Sequence, residues 1–303
     1  MRSVLTIGTF DGVHLGHRKI SEKVVQLAKK TKTVPAAITF DIPPRLFFFP
    51  SAEPCLLTSV TEKMLLLKKY GIKKAAVLKF NRKLSRISAD DFFKNFVVRK
   101  CGARAIVVGA NFAFGRNRQG DARFLEKCAR KHSIPVIVVP PLCSGNVPVS
   151  SGRIREVLRA GRVEESRRLL GYPYSISGKV VRGLDLGKKI GFPTANLAVP
   201  PQKILPPGVF AVRASISGES SKPRTFGGMC NIGFKPTVLR GNRKMTAEVH
   251  LFRFAGGLYG KTLKVEFFRK LREEKVFQNL AELRDQLERD KVRALEALKK
   301  DNR

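Results

Sequence analysis

The chain reads as an α/β domain built on a parallel sheet, then an antiparallel barrel or sandwich with a closing helix. Three observations predict this. Strand-like and helix-like segments alternate through residues 1–172. From Tyr174 to Arg269, Gly and Pro punctuate short runs of alternating polarity. From Asn279 to Leu298, the residues Leu280, Leu283, Leu287, Val292 and Leu295 recur with a helical period. The 303 residues are enough for two cores. The change of rhythm after Gly171-Tyr172-Pro173 puts the boundary near 172, giving domains 1–172 and 173–303, and no internal repeat is visible.

In the first half, strands are expected from Val4 to Gly8, Pro35 to Phe40, Ala75 to Lys79, Ala105 to Val108 and Val136 to Val139. Helices are expected from His17 to Lys30, Thr61 to Tyr70, Ser88 to Arg99, Asp121 to Lys131 and Gly152 to Leu170. Thr61 before Glu62, and Ser88 before Asp90 and Asp91, supply capping chemistry. In the second half, the strand candidates run from Ser175 to Val181, Gly208 to Ile216, Gly227 to Ile232, Thr246 to Phe252 and Thr262 to Phe268. No G-x-G-x-x-G fingerprint occurs.

The most informative segment is Gly8-Thr9-Phe10-Asp11-Gly12-Val13-His14-Leu15-Gly16-His17. A strand that ends in glycines and opens a helix is where α/β proteins hold phosphates, because unpaired N–H groups and the helix dipole converge there. Gly12 and Gly16 let the backbone approach closely, and imidazoles at i and i+3 can reach one ligand. A helix-start pair and a metal site are the other readings. A metal site needs a third ligand nearby, and the remaining histidines, His132 and His250, have no metal-like spacing.

Composition narrows the classes further. No apolar run is long enough for a membrane span, and no charged-then-apolar leader precedes the first strand. The five cysteines are scattered with no C-x-x-C pair, which fits mostly buried thiols in a reduced, cytoplasmic setting. The formal net charge of +35 invites a nucleic-acid reading. The excess is shared by both halves, however, without a basic tail or an aromatic-interleaved stripe, so no dedicated nucleic-acid partner is expected. Anionic small molecules would still benefit from the field.

Other segments line up with the first. Thr39-Phe40-Asp41 closes the second strand, Gly109-Ala110-Asn111-Phe112-Ala113-Phe114-Gly115 follows the fourth, and Val149-Ser150-Ser151-Gly152-Arg153-Ile154-Arg155 opens a helix. Taken singly, each has a packing or solvation reading. Taken together, in this order, the chain resembles the bacterial bifunctional riboflavin kinase/FMN adenylyltransferases, or FAD synthetases. The second half carries more matches: Gly191-Phe192-Pro193-Thr194-Ala195-Asn196-Leu197, Pro207-Gly208-Val209-Phe210-Ala211-Val212, Asn231-Ile232-Gly233 with Pro236-Thr237, Glu248-Val249-His250-Leu251, Leu258-Tyr259-Gly260, and Leu271-Arg272 with Glu274.

The resemblance covers nearly the whole chain. It implies a Rossmann-like nucleotidyltransferase domain followed by a small antiparallel β-barrel riboflavin kinase domain with a C-terminal helix. ATP, riboflavin and FMN are the implied substrates, with Mg²⁺ as cofactor. His14 and His17 would bind ATP phosphates and stabilise charge as pyrophosphate leaves. Gly8, Phe10, Asp11 and Gly16 belong to the same nucleotide-binding motif; Asn111 would hold the nucleotide, and Ser151 and Arg155 would grip its phosphates. In the barrel, Gly183, Thr194 and Asn196 would bind the nucleotide, Thr194 also the metal, and Glu248 would be the general base for the ribityl hydroxyl.

The chain departs from the family pattern at three places. It has Ile42-Pro43-Pro44 where P-H-P is usual, Gly152 where a hydroxyl residue is usual, and Gly183-Leu184-Asp185-Leu186-Gly187 where G-x-G-R-G is common. Lys188 and Lys189 are placed to replace the lost charge, and the segment is one residue short of a P-loop. One activity alone, a degenerate flavin binder, and a tRNA-related class I nucleotidyltransferase or RNA-binding protein are the competing readings. The sequence leaves a homo-oligomer open.

Overall fold

The computed structural model describes residues 2–50, 53–183, 186–217, 224–234 and 245–301. Pro236-Thr237 and Leu184-Asp185, both singled out above, lie outside the described residues. Cα proximity divides the chain into two compact units, 1–151 and 152–303.

The first unit is built on five parallel strands, β1 (Ser3–Ile7), β2 (Val34–Phe40), β3 (Lys74–Leu78), β4 (Ala103–Gly109) and β5 (Val136–Val139), in the order β3-β2-β1-β4-β5. All five residues of β1 are buried, as a strand covered on both faces requires. Leu5 and Ile7 join one core with Ile38, Ile106 and Val108. Val4 joins the opposite one with Ala37, Ala105 and Val107, together with Val24 and Ala28 of α1 (Leu15–Lys30). The strand order reverses between β1 and β4, and crevices at such a switch point are where open α/β sheets take ligands.

Three helix expectations change. Helix α2 (Val60–Lys69) is capped by Ser59 rather than Thr61: Glu62 N donates to Ser59 Oγ at 3.2 Å, and Ser59 N donates to Glu62 Oε2 at 2.7 Å. The helix after the Ser88 cap begins as α-helix and widens to π over Phe93–Lys100. Beyond α3 (Ala122–Arg130), the single helix expected from Gly152 to Leu170 is two, α4 (Ser151–Arg159) and α5 (Val163–Leu170). Gly161 breaks it with a φ of +68°, and Glu164 and Glu165 start a new first turn.

The second unit is a closed antiparallel barrel of β6 (Ser175–Val181), β7 (Ala195–Ala198), β8 (Gly208–Ser217), β9 (Thr225–Phe234), β10 (Met245–Leu251) and β11 (Thr262–Arg272). The strands close in the order β6-β7-β10-β9-β8-β11. Closure removes the sandwich alternative and leaves no exposed edge. Strand β7 was not among the strand candidates; its first three residues close the Gly191–Leu197 motif. Helix α6 (Leu280–Lys300), capped by Asn279, lays Ala294, Ala297 and Leu298 against Val209, Ala211, Met229, Phe268 and Leu271 on the outer face of the barrel. Cys128 and Cys230 are buried as expected, Cys55 and Cys101 are partly buried, and Cys143 is exposed. Among the described residues, no helix is long and apolar enough to cross a membrane.

Candidate active sites

The loop from β1 to α1 is strained and tightly held. Phe10 (φ +47°) and Val13 (φ +31°) adopt the left-handed region beside Gly12 (φ +79°). For a β-branched or bulky residue this is a costly conformation that persists only where its surroundings over-determine it. Asp11, 2% exposed, supplies much of the restraint: its carboxylate accepts from Leu57 N, Thr58 N and Thr58 Oγ1 at 3.0–3.2 Å. Gly12 N donates to Thr58 Oγ1 at 3.0 Å, Thr39 Oγ1 to the Thr9 carbonyl at 3.1 Å, and Ser151 Oγ to the Asp11 carbonyl at 2.8 Å. Asp11 and Ser151 therefore brace the loop.

The imidazoles of His14 and His17 stack with ring centroids 3.8 Å apart, and Phe10 meets His17 edge-on at 5.1 Å. Phe10 is itself buried over Gly8, where a Cβ would come within 3.1 Å of its ring. A Cβ at Gly16 would lie 3.1 Å from the His14 ring, so this glycine admits the imidazole. His14 is the N-cap position of α1, and no side-chain oxygen caps that helix. Its first turn carries no acidic residue, which leaves the positive end of the dipole for an anion. His17 Nδ1 is buried without a hydrogen-bond partner among the described residues. Burial, then His14, then Lys63 push the His17 pKa well below the usual histidine range, so the ring is neutral at pH 7.

The other predicted residues of this half are dispersed. Asn111 is exposed beyond the end of β4, where Phe112 N turns back to Gly109 O at 3.0 Å. Phe112 and Phe114 stack at 5.2 Å and pack into the core, the bland reading of that motif. Asp41 Oδ1 accepts from Ile42 N and Phe80 N, both at 2.8 Å, and so holds its own loop. Arg155 is half-buried on α4, within the second compact unit.

The barrel assembles a second constellation through register. Glu248 on β10 is paired with Asn196 on β7 and with Asn231 on β9. Cross-strand partners share a face, so amide, carboxylate and amide form one row. Their neighbours Ala195, Leu197, Ala247, Val249, Cys230 and Ile232 are buried, which puts the row on the opposite, outward face. Gly183 abuts this row so closely that a Cβ there would overlap the Asn196 amide. A Cβ at Gly187 would overlap the Phe192 carbonyl and lie 3.5 Å from Thr194 Oγ1. His250 Nδ1 is 2.9 Å from the Pro193 carbonyl, which fixes the turn leading to half-buried Thr194. Burial lowers the His250 pKa more than the Pro193 bond raises it, with Lys291 lowering and Glu288 raising it to a lesser extent, so the ring donates as a neutral imidazole.

Two residues escaped sequence reasoning. Asn231 was quoted only as part of a motif, yet its Oδ1 is buried without a partner among the described residues, next to Glu248. Lys63 is 3% exposed and donates to the Phe40 carbonyl at 2.6 Å. A signal was available: Lys63 lies four residues before buried Leu67, on the inward stripe of α2.

A strained glycine–histidine loop at the switch point of a parallel sheet, joined in one chain to a six-stranded barrel bearing a hydroxyl–amide–carboxylate set, defines an α/β-plus-barrel protein with two candidate sites. A family model described as FAD synthetase matches residues 1–153, and one described as riboflavin kinase matches residues 170–298. The chain is 34% identical over 289 residues to a bifunctional riboflavin kinase/FMN adenylyltransferase of Buchnera aphidicola subsp. Schizaphis graminum, covering 95% of this chain and 91% of the relative. Proteins of the same description from Escherichia coli K12 (34% identity, 97% and 92% covered) and Bacillus subtilis 168 (33%, 97% and 92%) are equally close over their length. The chain belongs to the bifunctional riboflavin kinase/FMN adenylyltransferase family. A solved structure from Streptococcus pneumoniae, described as a macrolide-efflux protein, superposes with a TM-score of 0.85 at 28% identity, covering 96% of this chain and 93% of that one.

Proposed function

We infer that the chain phosphorylates riboflavin to FMN in the barrel and adenylylates FMN to FAD in the α/β unit, using ATP in both steps. The observation that carries this reading is the register placing Glu248 between two amides beside the Thr194 turn, in a chain that also holds a stacked imidazole pair at a switch point.

Adenylyl transfer requires no side-chain nucleophile, because an FMN phosphate oxygen attacks the α-phosphorus and pyrophosphate leaves. The protein must orient the reactants and offset developing charge. The N-terminus of α1 and the imidazoles of His14 and His17 serve this role as hydrogen-bond donors, His17 as a neutral ring rather than a fixed cation. In the kinase step, Glu248 takes the proton of the ribityl hydroxyl as its oxygen attacks the γ-phosphorus and ADP leaves. Asn196 and Asn231 orient the reacting groups. The donor set suits Mg²⁺, a hard cation that takes few protein oxygens and arrives with nucleotide phosphates. Thr194 Oγ1 would hold it, and when bound it would offset charge on those phosphates. The reading is of an enzyme acting on small molecules in the cytoplasm.

The test is to incubate the full-length chain with riboflavin and MgATP, separate the flavins, and repeat with FMN as the starting flavin. Both FMN and FAD should form. Glu248→Ala should cut FMN formation by about 10²–10⁴-fold while FMN is still converted to FAD. His17→Ala should do the reverse. Folded protein that makes neither flavin sinks the proposal.

A further inference from the structure

The described residues bury few charged side chains, and most have an evident partner. Asp11 is saturated by backbone N–H groups, Asp290 pairs with Arg272, and Lys203 lies 4.9 Å from the Tyr174 ring centroid. Lys63 differs. Its Nζ rests on the Phe40 carbonyl at 2.6 Å and on Thr39 Oγ1 at 3.4 Å, and no carboxylate among the described residues lies within ion-pair distance of it. Burying a cation without a paired anion is costly, and a fold that does so is using the charge. Thr39 Oγ1 in turn donates to the Thr9 carbonyl, so a short chain of hydrogen bonds links Lys63 to the strained loop carrying the imidazoles.

We propose that Lys63 is a positioning residue of the adenylyl-transfer site: its buried ammonium braces the His14–His17 loop through Thr39 and brings a positive charge, held by no direct ion pair, to bear on the imidazole pair. This rests on the adenylyl-transfer reading above and deepens it. The brace ties the loop to Thr39 and Phe40 at the end of β2, and the charge favours the unprotonated state of His17. The groups acting on His17 are His14 at the start of its own helix, Phe10 from the loop and Lys63 from α2, and both His14 and Lys63 disfavour its protonated form. Burial lowers the Lys63 pKa from the usual lysine range, and Asp11 and then Asp41 oppose that shift.

The experiment compares Lys63→Met and Lys63→Arg with the unsubstituted full-length chain, measuring FMN-to-FAD conversion across pH. Riboflavin phosphorylation in the same sample reports an intact barrel, and a thermal melt followed by far-UV circular dichroism reports that the α/β unit is folded. Lys63→Met should lower kcat/KM for FAD formation about 10- to 100-fold, the effect of losing a charge-assisted hydrogen bond. Its acid limb should move to higher pH, because His17 protonates more easily without the neighbouring charge. Lys63→Arg should recover part of the rate and leave the acid limb in place. If Met prevents folding, Lys63→Gln removes the charge while keeping a donor, and the same upward shift is expected. A neutral variant with the unsubstituted rate and acid limb overturns the proposal. So do Met and Arg variants that lose activity equally with no shift, since that marks a structural strut alone. An unsubstituted chain that makes no FAD from FMN instead overturns the adenylyl-transfer reading, and the proposal with it.

Discussion

At the scale of single residues, the first site depends on buried polar groups held in one protonation state. His17 is enclosed by Phe10 and His14 and faces Lys63, and each of the last two makes an imidazolium less favourable. His250 is similarly disfavoured as a cation by burial. For a histidine whose folded pKa lies below its unfolded value, the unfolded chain takes up the proton first as pH falls. The stabilisation is therefore fully present above the unfolded pKa of about 6.5 and is lost as pH drops toward the folded values. Thermal midpoints measured from about pH 8 to about pH 5 should fall on the acid side, and His17→Asn should flatten part of that fall. A midpoint insensitive to pH across this window would contradict the burial of both rings. The same loop shows why Asp11 is a brace: its oxygens already answer two backbone N–H groups and a hydroxyl.

At the scale of elements, side-chain chemistry chooses where helices begin and how they dock. Both Ser59 and Thr61 have a hydroxyl, but only Ser59 stands three residues before Glu62, the spacing at which the two side chains cap each other's backbone. Gly161 ends α4 because its positive φ costs a glycine little, and the chain restarts as α5. Helix α6 is fastened by a buried ion pair as well as by its apolar stripe. Asp290, fully buried, accepts from Arg272 Nε at 2.8 Å and from Gln286 Nε2 at 2.9 Å. Breaking such a pair leaves an uncompensated charge in the interior, so Asp290→Ala should cost about 3–5 kcal/mol, read in a denaturant melt. The double replacement Arg272→Met with Asp290→Leu should recover most of that loss, because the pair contributes little net stability once its desolvation is counted. A double variant as unstable as the single would show that the pair carries more.

At the scale of the whole molecule, two cores built on different principles each present a polar site. In the α/β unit, loops at the ends of buried strands form the candidate site; in the barrel, the outward residues of three adjacent strands form the other candidate. The net charge of +35 is distributed over both. Any binding to RNA should therefore be the counterion-release kind: independent of sequence, and falling steeply as salt rises from about 50 to about 200 mM, a loss of about 10³–10⁵ for 6–10 phosphate contacts. Sequence-selective binding that survives this range would show a built nucleic-acid surface instead. Filter binding with two unrelated RNAs distinguishes the outcomes.

Much of this architecture was legible in the chain. Alternating segments gave the parallel sheet, the Gly/Pro rhythm gave the antiparallel half, and the leucine period gave α6, because these patterns follow from which faces must be buried. The motifs around His14, His17, Thr194, Asn196 and Glu248 marked candidate site residues through their resemblance to a family pattern, and the roles of these residues belong to the proposed function. Other features came only with tertiary structure. That Asp11 spends its carboxylate on Leu57 and Thr58, that Glu248 sits between Asn196 and Asn231, and that Lys63 acts on His17 all depend on partners 17 to 52 residues apart in the chain and close in space. Local sequence sets a residue's conformational preference and polarity. Only the closed fold sets its neighbours, and neighbours decide whether a polar group is a brace, a base or a buried charge.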